Sequence, residues 1–557
     1  MISKMGIPAY FSHIIKNYPE IIKNFKSNEF KVDNLFLDSN SIVYDSLREI
    51  EYKNDSDFEK KLITAVCKKL ESYMQQINPN NLVYIAFDGV APLAKLNQQK
   101  SRRYKSWFIS NYENKNSKNN NDNDNDNDNY NYNDNKNKNF WDKTAITPGT
   151  DFMNKLNLQI KYHFKNALKF KVNKIIVSDS CIEGEGEHKI FEYIRKNTHV
   201  KDEINVIYGL DADLIMLTIN HRFISEKMYL FRETPEFIKS LNSDLDPNKL
   251  YVMDIPFFTE KLNFTLNNNK TAIEEYEKNK IYDYIFLCFL LGNDFLPHFP
   301  AINIRTKGID LLLNIYQEII GNKKQNIIKN GKIIWKNFRK IIQELSNVEE
   351  ELIQKEHKNR DKQEKRPPYI DKNDKKLSLF DKEMLHVPIK SRELEKYINP
   401  FEKGWQYRYY DMILDISNEE KNFEDKIKNL CLNYIEGLEW TFKYYMTDCA
   451  DWRWFYKYDY PPLIRDLLKY LPYFETDLIQ NKPKNPIKDV VQLSYVLPKN
   501  SLLFLPKKVK NILEKNYGYY YQENYDFKWA YCKYFWESHV EFPRVDFEEF
   551  EKNILQI

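Results

Sequence analysis

The sequence predicts an α/β fold in which a parallel sheet carries helices on both faces, joined to a second, mainly helical region. Two short runs rich in β-branched and aromatic residues, 174–177 and 204–208, are separated by a stretch whose apolar residues recur at helical spacing. This order of strand, helix and strand is a βαβ unit, and its right-handed crossover makes the two strands parallel. A buried strand followed by an acidic residue also recurs earlier, at Asp38 and Asp88. The pattern indicates one sheet with acidic side chains at the carboxyl ends of its strands.

The elements before and after this unit continue the alternation. A first amphipathic helix follows the N-terminus, a strand covers 34–37, and a second helix covers about 58–77. The run 82–92 predicts another buried strand, and 283–294 is an apolar run of helix length that closes on Asp294. Taken alone, Asp294 is more simply interpreted as a residue in a helix C-terminal turn.

Four acidic residues at the strand ends of the βαβ unit are candidate metal ligands. They are Glu185, Glu187, Asp211 and Asp213. Like charges in one crevice repel one another, and carboxylate oxygens with few His or Cys nearby favour Mg²⁺ or Mn²⁺ over Zn²⁺. The alternative is that these acids are solvated loop residues, with the two glutamates complementing a helix N-terminus. Two acid-x-acid pairs, each at a strand exit, favour the metal site.

A basic helical face follows directly after Asp88. Lys95, Gln99, Arg102 and Arg103 stand at i, i+4, i+7 and i+8, which places them on one narrow face. Such a face can bind an anion, because Arg forks bind phosphate oxygens bidentately and Lys adds a point charge. A solvated helix face is the alternative, but this face lacks the acidic i±4 partners that such a face normally carries.

Composition limits the class of protein. A chain of 557 residues should divide into two or more domains. With 84 basic and 81 acidic residues the net charge is only +3, so any affinity for nucleic acid must come from a local patch. The six cysteines form no C-x-x-C pair, which argues against a zinc knuckle or a disulfide framework. With no apolar run of membrane-spanning length, we expect an intracellular protein without membrane contact, in the cytoplasm rather than the nucleus, and a viral protein in a host cytoplasm also fits.

The chain is expected to divide into three parts. Residues 1–345 form the N-terminal α/β region, in which the Asn/Asp-rich stretch 111–139 is predicted to be a disordered insertion. Residues 346–400 are predicted to be a charged linker or mobile arm, because charges of both signs alternate there without apolar periodicity. Residues 401–557 show helical periodicity with dense aromatic residues, and we expect this region to wall in the site.

Seven stretches in the first 300 residues resemble the N-terminal region of the Xrn family of 5′→3′ exoribonucleases. They are MGIP (5–8), LDSNSI (37–42), FDGVAPLAKLNQQKSRR (87–103), ITPGTDFM (146–153), EGEGEHKI (183–190), YGLDADLIML (208–217) and GNDFLPH (292–298). Weaker similarity to the family's second conserved region continues at 404–410, 434–462 and 492–498. The resemblance covers nearly the whole chain apart from two insertions. It implies a PIN/FEN-like parallel-sheet nuclease core and a mainly helical second conserved region.

Carried over position by position, the resemblance implies a site for two Mg²⁺ ions, for which Mn²⁺ can substitute. Its seven ligands would be Asp38, Asp88, Glu185, Glu187, Asp211, Asp213 and Asp294. The basic face from Lys95 to Arg103 matches the residues that grip a 5′-terminal monophosphate. The implied activity is the processive hydrolysis of single-stranded RNA with a 5′-monophosphate to 5′-mononucleotides, in RNA decay. We expect a monomer, and the sequence does not identify any protein partners.

Further residues match family positions near the metals or against the bases. Asn40 matches a residue close to the metals, and Tyr44 stands where the family commonly has a His that stacks on the first base. The opposing platform would be Trp452 or Trp454, and stacking contributes roughly 1–3 kcal/mol per base. The simpler alternatives are that Asn40 caps its turn and that the two Trp side chains belong to the core.

The sequence departs from the family pattern at both ends. Residues 1–4 precede the Met-Gly-Ile-Pro with which family members usually begin, so Met5 is a second candidate start. The sequence closes at Ile557, without the long C-terminal barrel domains of the large cytoplasmic members. The resemblance is therefore to the catalytic region alone.

Two other functions are kept as alternatives. A flap-type, structure-specific DNA nuclease would share the acidic cluster and the core topology, but the basic motif at 95–103 and the second region favour the exoribonuclease. A catalytically inactive RNA-binding scaffold would be expected to have lost at least one of the seven acids, and all seven are present.

Overall fold

The protein is described from a computed structural model. The structure describes residues 10–26, 30–119, 141–232, 245–246, 249–367, 369–371 and 377–556. Most of the predicted insertion at 111–139 and the motif at 5–8 lie outside the described residues. The part of 111–119 that is described belongs to a long helix rather than to a disordered loop.

A seven-stranded sheet forms the centre of the first region. Its order is β1-β7-β6-β5-β2-β3-β4, and the five strands from β6 to β4 are mutually parallel, while β7 runs antiparallel to both neighbours. The strands are β1 (Ile22–Asn24), β2 (Asn34–Asp38), β3 (Leu82–Ala86), β4 (Lys174–Ser178), β5 (Asn205–Tyr208), β6 (Met228–Arg232) and β7 (Tyr251–Asp254). Asp38 is paired with Ala86, and Ala86 with Ser178, so the parallel strands end level with one another.

Helices cover both faces of this sheet. They are α1 (Tyr10–Asn17), α2 (Asn40–Leu47), α3 (Asp55–Ile77), α4 (Leu93–Asn119), α5 (Asp151–His163), α6 (Gly186–Lys196), α7 (Asp213–Asn220), α8 (Ile255–Leu266), α9 (Glu275–Lys278) and α10 (Lys280–Cys288). Side chains alternate along each strand, so Phe36 and Tyr84 join the core on the side of α6 and α7. Leu35 and Val83 join the core on the side of α3 and α5. The predicted α/β core with helices on both faces of a mostly parallel sheet is confirmed.

The helix starts follow from local sequence. The side chain of Asn54 accepts a hydrogen bond from Asp57 N (3.0 Å) at the start of α3. The side chain of Thr150 accepts one from Met153 N (3.3 Å) at the start of α5. Phe152 and Leu156 then face the core at helical spacing. These caps fix the direction in which α5 leaves the loop that carries Thr147, a residue that contacts the site described below.

The second region is mainly helical, as predicted, although in the structure its helices begin with α11, before residue 401. Its helices are α11 (Gly308–Ile319), α12 (Trp335–Lys365), α13 (Leu379–Met384), α14 (Val387–Lys390), α15 (Glu393–Ile398), α16 (Trp405–Leu414), α17 (Phe423–Met446), α18 (Ile464–Tyr470), α19 (Asp489–Val496), α20 (Lys507–Asn516) and α21 (Phe547–Leu555). Two short hairpins complete it, β8 (Ile328–Lys329) with β9 (Lys332–Ile333) and β10 (Phe527–Lys528) with β11 (His539–Val540). One core cluster runs from the first region into α12 and α17.

The structure differs from the predicted linker at 346–400. α12 continues through the start of this segment as far as Lys365, and α13 to α15 follow. Arg360 on α12 is buried and donates to Glu395 on α15 (2.8 Å), which also accepts from Arg392 (2.6 Å). The alternating charges looked solvated in the sequence because the partners that satisfy them lie on a different helix, well beyond the range of a local pattern.

In the part of the chain that the structure describes, every helix is too short or too polar to cross a membrane.

Candidate active site

Acidic side chains converge where the parallel strands end. Asp38 closes β2, Asp88 lies just after the end of β3, and Asp211 lies between β5 and α7. Single carboxylate oxygens of Asp38, Glu187 and Asp211 lie within 4.8 Å of one another. We call the region around these three residues the acidic crevice. Its remaining members are Asp88, Glu185, Asp213 and Asp294.

The start of α6 lies very close to the acidic residues at the ends of β2 and β3. Glu185 is the N-cap residue and Glu187 lies in the first turn, next to Gly186. A Cβ atom on Gly186 would lie 2.6 Å from Oδ1 of Asp38, so only glycine allows this approach. Gly186 N also donates to Oδ1 of Asp88 (2.7 Å). The helix N-terminus therefore contacts acids from two different strands.

Asn40 holds the other side of Asp88. Its Nδ2 donates to Oδ2 of Asp88 (2.6 Å), and its Oδ1 accepts from Asp88 N (3.1 Å). The placement of Asn40 beside the predicted ligands agrees with the sequence motif. Asp88 is thus fixed in orientation by both of its oxygens.

Burial raises the pKa values of several carboxyl groups in the crevice. Burial raises the pKa of Asp211 to about 6, and raises the pKa of Asp38, Glu187 and Asp213 well above the usual range, with further contributions from neighbouring carboxylates. Oε2 of Glu187 and Oδ1 of Asp213 are buried without a hydrogen-bond partner among the described residues. Buried, mutually repelling carboxylates with unused oxygens suit a divalent cation with oxygen ligands.

Lys95 supplies a positive charge inside the crevice. Its Nζ pairs with Oε1 of Glu185 (2.7 Å) and with Asp294, and it is almost fully buried. Burial lowers the pKa of Lys95, but attraction to Asp294 and Glu185 outweighs burial and raises it well above the usual value. Gln98 also donates to Asp294 (2.6 Å). Asp294, which follows a short 3₁₀ turn after α10, is therefore a member of the crevice and not only a turn residue.

The other members of the predicted basic face lie along the same side of α4. Arg103 Nε donates to Oγ1 of Thr147 (3.0 Å), and its Nη1 donates to the carbonyl of Gln99 (3.2 Å). Oε1 of Gln99 is buried without a partner among the described residues. The charge of Arg102 acts on Asp211 in the crevice. The structure thus joins the basic face to the acidic crevice, with Lys95 in contact with the acids themselves.

The three aromatic candidates for base stacking are in different surroundings. Tyr44 on α2 is half-buried and lies close enough to Arg103 to affect the pKa of the Arg103 guanidinium. Trp452 lies beside the start of α4, where its carbonyl accepts from Leu93 N (3.0 Å), and Lys484 Nζ lies 5.4 Å from its ring centroid. Trp454 packs into the core against Trp440, with ring centroids 5.3 Å apart. Both Trp side chains are only 8% exposed, but Trp454 belongs to the main core cluster and Trp452 does not, so we take Trp452 as the platform; the role of either remains a prediction.

Besides Gln98, two further residues at the crevice, Lys189 and Tyr444, were not singled out from the sequence. Lys189 Nζ donates to the carbonyls of Phe87 and Asp179 (both 2.8 Å), which ties together the turns after β3 and β4. Tyr444 on α17 donates to Oε2 of Glu185 (3.0 Å) across 259 residues. Lys189 belongs to the EGEGEHKI motif, which was a usable signal. Tyr444 lies in 434–462, where the resemblance is weaker, and nothing in that stretch distinguishes it from the other tyrosines.

The fold places the chain in a class: it has the α/β architecture of PIN-like nucleases, with acidic residues at the carboxyl ends of the strands. Comparison with family models is more specific. The chain matches the model of the XRN 5′-3′ exonuclease N-terminus over residues 5–234 and that of the Xrn1 helical domain over residues 275–396 and 382–556. The chain therefore belongs to the Xrn family of 5′-3′ exonucleases. This confirms the resemblance and the enzyme class that it implied.

Several proteins similar to this chain are named 5′-3′ exoribonucleases. The 5′-3′ exoribonuclease 2 homolog of Drosophila melanogaster is 25% identical, over 97% of this chain and 70% of that protein. The 5′-3′ exoribonuclease 1 of Schizosaccharomyces pombe is 28% identical, over 97% of this chain and 48% of that protein. The 5′-3′ exoribonuclease 1 of Saccharomyces cerevisiae is 27% identical, over 91% of this chain and 40% of that protein. The chain thus spans between 40% and 70% of the length of these relatives.

Proposed function

We propose that this chain is a processive 5′→3′ exoribonuclease that hydrolyses single-stranded RNA with a 5′-monophosphate and releases 5′-mononucleotides, acting in RNA decay. The observation that supports this most is the junction between the acidic crevice and the basic face of α4, where Lys95 pairs with Glu185 and Asp294. A scissile phosphate can approach carboxylates only where cations offset their charge. The adjoining basic face then suits a second phosphate, the one at the end of the chain.

Xrn nucleases are metal-dependent, and we infer two Mg²⁺ ions, for which Mn²⁺ can substitute, in the acidic crevice. The ligands would be the seven acids, with Asp38, Glu187 and Asp211 nearest to one another. When bound, the ions would activate water and offset the charge that develops on the scissile phosphate and the leaving oxygen. The protein's part is orientation: Asn40 and Gly186 N fix Asp88, while Lys189 joins the two turns that carry Asp88 and Glu185.

The basic face would select the end of the RNA. Arg102 and Arg103 can each donate two N–H groups to phosphate oxygens, and Gln99 adds a neutral donor. Arg103 is already oriented by its bond to Thr147, so less side-chain entropy is lost when phosphate binds. A triphosphate or a cap would bring more charge or bulk than these residues can match. A 5′-hydroxyl would offer them no anion to bind.

Tyr44 and Trp452 would then hold the first bases. Tyr44 lies beside Arg103, so a base next to the bound 5′-phosphate is within reach of its ring. Stacking is tolerant of sequence because every base has an aromatic face. This tolerance suits an enzyme that must pass all four bases in succession.

Purified protein would be incubated in Mg²⁺ with four substrates: RNA with a 5′-monophosphate, a 5′-triphosphate or a 5′-hydroxyl, and 5′-phosphorylated single-stranded DNA. We expect 5′-mononucleotides from the monophosphorylated RNA and much slower cleavage of the others. Glu187→Gln, which keeps the size of the side chain and removes its charge, serves as the inactive control. Equal cleavage of all ends, or products that begin within the chain, would contradict the proposal. Preference for a branched DNA flap would instead support the flap-type alternative.

A further inference from the structure

A continuous stack of four rings runs from the core of the helical region to the acidic crevice. Trp454 stacks on Trp440 (centroids 5.3 Å apart, planes at 24°), and Trp440 stacks on Tyr444 (4.9 Å, 28°). Tyr444 stacks in turn on His188 (3.6 Å, 23°), which directly follows Glu187. The stack therefore begins in the core and ends beside a candidate metal ligand.

The position of each ring in this stack is fixed. Trp440 donates from Nε1 to the carbonyl of Asp451 (2.8 Å), and Trp454 donates to Glu436 (3.3 Å). A Cβ atom on Gly437 would lie 2.9 Å from the ring of Trp454, so α17 approaches that ring closely only because this residue is glycine. Phe295, next to Asp294, packs edge-on against Tyr444 with centroids 5.5 Å apart. Tyr444 thus contacts three rings, those of Trp440, His188 and Phe295.

With its ring held in this way, the Tyr444 hydroxyl has little freedom. It donates to Oε2 of Glu185 at 3.0 Å, while Oε1 of the same carboxylate pairs with Lys95. The two donors fix the rotation of the carboxylate plane. Partners of this kind orient metal ligands, and their loss typically costs roughly 10- to 100-fold in metal affinity.

We propose that Tyr444 is a positioning residue through which the helical region sets the orientation of Glu185 in the acidic crevice. This inference rests on the proposed metal-dependent function and extends it, because it makes the crevice incomplete without α17. Tyr445, at the next position, lies close enough to Asp213 to affect the pKa of that carboxyl. Two adjacent tyrosines of the helical region thus lie against two acids of the crevice.

The test compares Tyr444→Phe, which keeps the ring stack and removes only the hydroxyl, with Tyr410→Phe. Tyr410 is a matched control because it is also a buried tyrosine that donates to a carboxylate, Asp466 (2.7 Å), but it lies outside the crevice. Mn²⁺ binding to each full-length protein is measured by isothermal titration calorimetry without RNA, together with the melting temperature. We expect Tyr444→Phe to bind Mn²⁺ roughly 10- to 100-fold more weakly. Tyr410→Phe should bind it like the unsubstituted protein.

Equal Mn²⁺ affinity in Tyr444→Phe and the unsubstituted protein would overturn the proposal, whatever their melting temperatures. A drop in affinity in both variants would also overturn it, since it would reflect general loosening of the helical region. If the unsubstituted protein failed to degrade RNA while Tyr444→Phe still lost Mn²⁺ affinity, the positioning role would stand and the proposed function would fall. The calorimetric and nuclease results are therefore separable.

Discussion

At the scale of single residues, Arg102 gives the sharpest test of end selection. It lies on the face of α4 that adjoins the crevice, where its charge acts on Asp211. If it binds the terminal phosphate, Arg102→Ala removes a charge-assisted contact of about 1.5–3 kcal/mol. We expect kcat/KM on 5′-monophosphate RNA to fall and that on 5′-hydroxyl RNA to stay nearly constant. The preference between the two ends should then narrow roughly ten- to a hundredfold.

Measuring kcat/KM for both RNA substrates at two salt concentrations separates this role from a general contact with the RNA backbone. If Arg102 made only a backbone contact, its removal would lower kcat/KM equally for both substrates and in a salt-dependent way. Arg48→Ala is the control, because the side chain of Arg48 is more than half exposed and pairs with the neighbouring Asp45. An unchanged end preference in Arg102→Ala would place the phosphate pocket elsewhere.

Asp211 links stability to pH. Its pKa of about 6 in the folded protein lies above the ordinary value of 3.8, because burial disfavours the charged form. The folded state therefore binds the proton more tightly than the unfolded state, and without metal its stability falls as pH rises from about 4 through 6. Burial shifts the pKa of Asp38, Glu187 and Asp213 in the same direction, which extends the effect to higher pH.

A divalent cation binds the deprotonated carboxylates, so we expect the rise in melting temperature on adding Mg²⁺ to be larger at pH 7 than at pH 5. Asp211→Asn should reduce this difference, because the amide does not titrate. The Mg²⁺-induced rise in melting temperature is measured for both proteins by thermal melts in Mg²⁺ and in EDTA at pH 5 and pH 7. A rise that is independent of pH would mean that these carboxyls are not where the ion binds.

The convergence of these acidic residues could be predicted from the sequence, whereas their hydrogen-bond and ion-pair partners could not. Asp38, Asp88 and Asp211 each follow a strand recognisable from its own residues, and parallel strands must end at one edge. The contact of Tyr444 with Glu185 joins residues 259 positions apart, and no local pattern specifies it. Lys95 was predicted to be on a phosphate-binding face, but its pairing with Glu185 and Asp294 depends on how α4 packs against the crevice.

At the scale of elements, the start of α6 leaves no room for a side chain at Gly186. Gly186→Ala would bring a Cβ atom to within 2.6 Å of Oδ1 of Asp38 and 3.4 Å of Oδ1 of Asp88. Either the helix or the two acids must move by several tenths of an ångström. Because displacements of about 1 Å can cost on the order of a hundredfold in rate, we expect Gly186→Ala to lose at least about tenfold in kcat. RNA binding in EDTA should change little.

Gly518→Ala is the matched control for that substitution, since its Cβ would meet no atom within 4 Å. The control should keep normal activity and stability. Full activity in Gly186→Ala would show that the crevice tolerates rearrangement and that its geometry in this structure is not the one needed for catalysis.

The element that sequence patterns described least well is α12. Its first half follows from apolar spacing, with Phe338, Ile342 and Leu345 buried. Its second half buries Glu356, His357 and Arg360, residue types that usually indicate exposure. The burial of Arg360 depends on α15, which supplies Glu395 as its partner. A charged stretch can be told from a solvated linker only when its partners are known.

At the scale of the whole molecule, α4 connects the site to the C-terminal part of the chain. One side of the helix carries Lys95 and Arg102 at the crevice. On the other side Lys100 lies 3.1 Å from the ring centroid of Tyr520, and Tyr104 packs against Tyr525 with centroids 4.8 Å apart. Lys105 donates to the carbonyls of Trp536 (2.9 Å) and Ser538. The helix that would select the RNA end is therefore held by residues of the C-terminal part of the chain.

Lys105→Met tests whether this support matters for function. Methionine fills a similar volume but leaves two carbonyls without their donor, at a cost of about 1–3 kcal/mol for each that stays unsatisfied. We expect a lower melting temperature, faster amide hydrogen exchange along α4, and a reduced kcat/KM on 5′-monophosphate RNA with little change in Mn²⁺ affinity. Lys508→Met, at an exposed lysine of α20, is the control for the loss of charge. If Lys105→Met lowered the melting temperature but left hydrogen exchange of α4 and end preference unchanged, the C-terminal contacts would stabilise the molecule without positioning the helix.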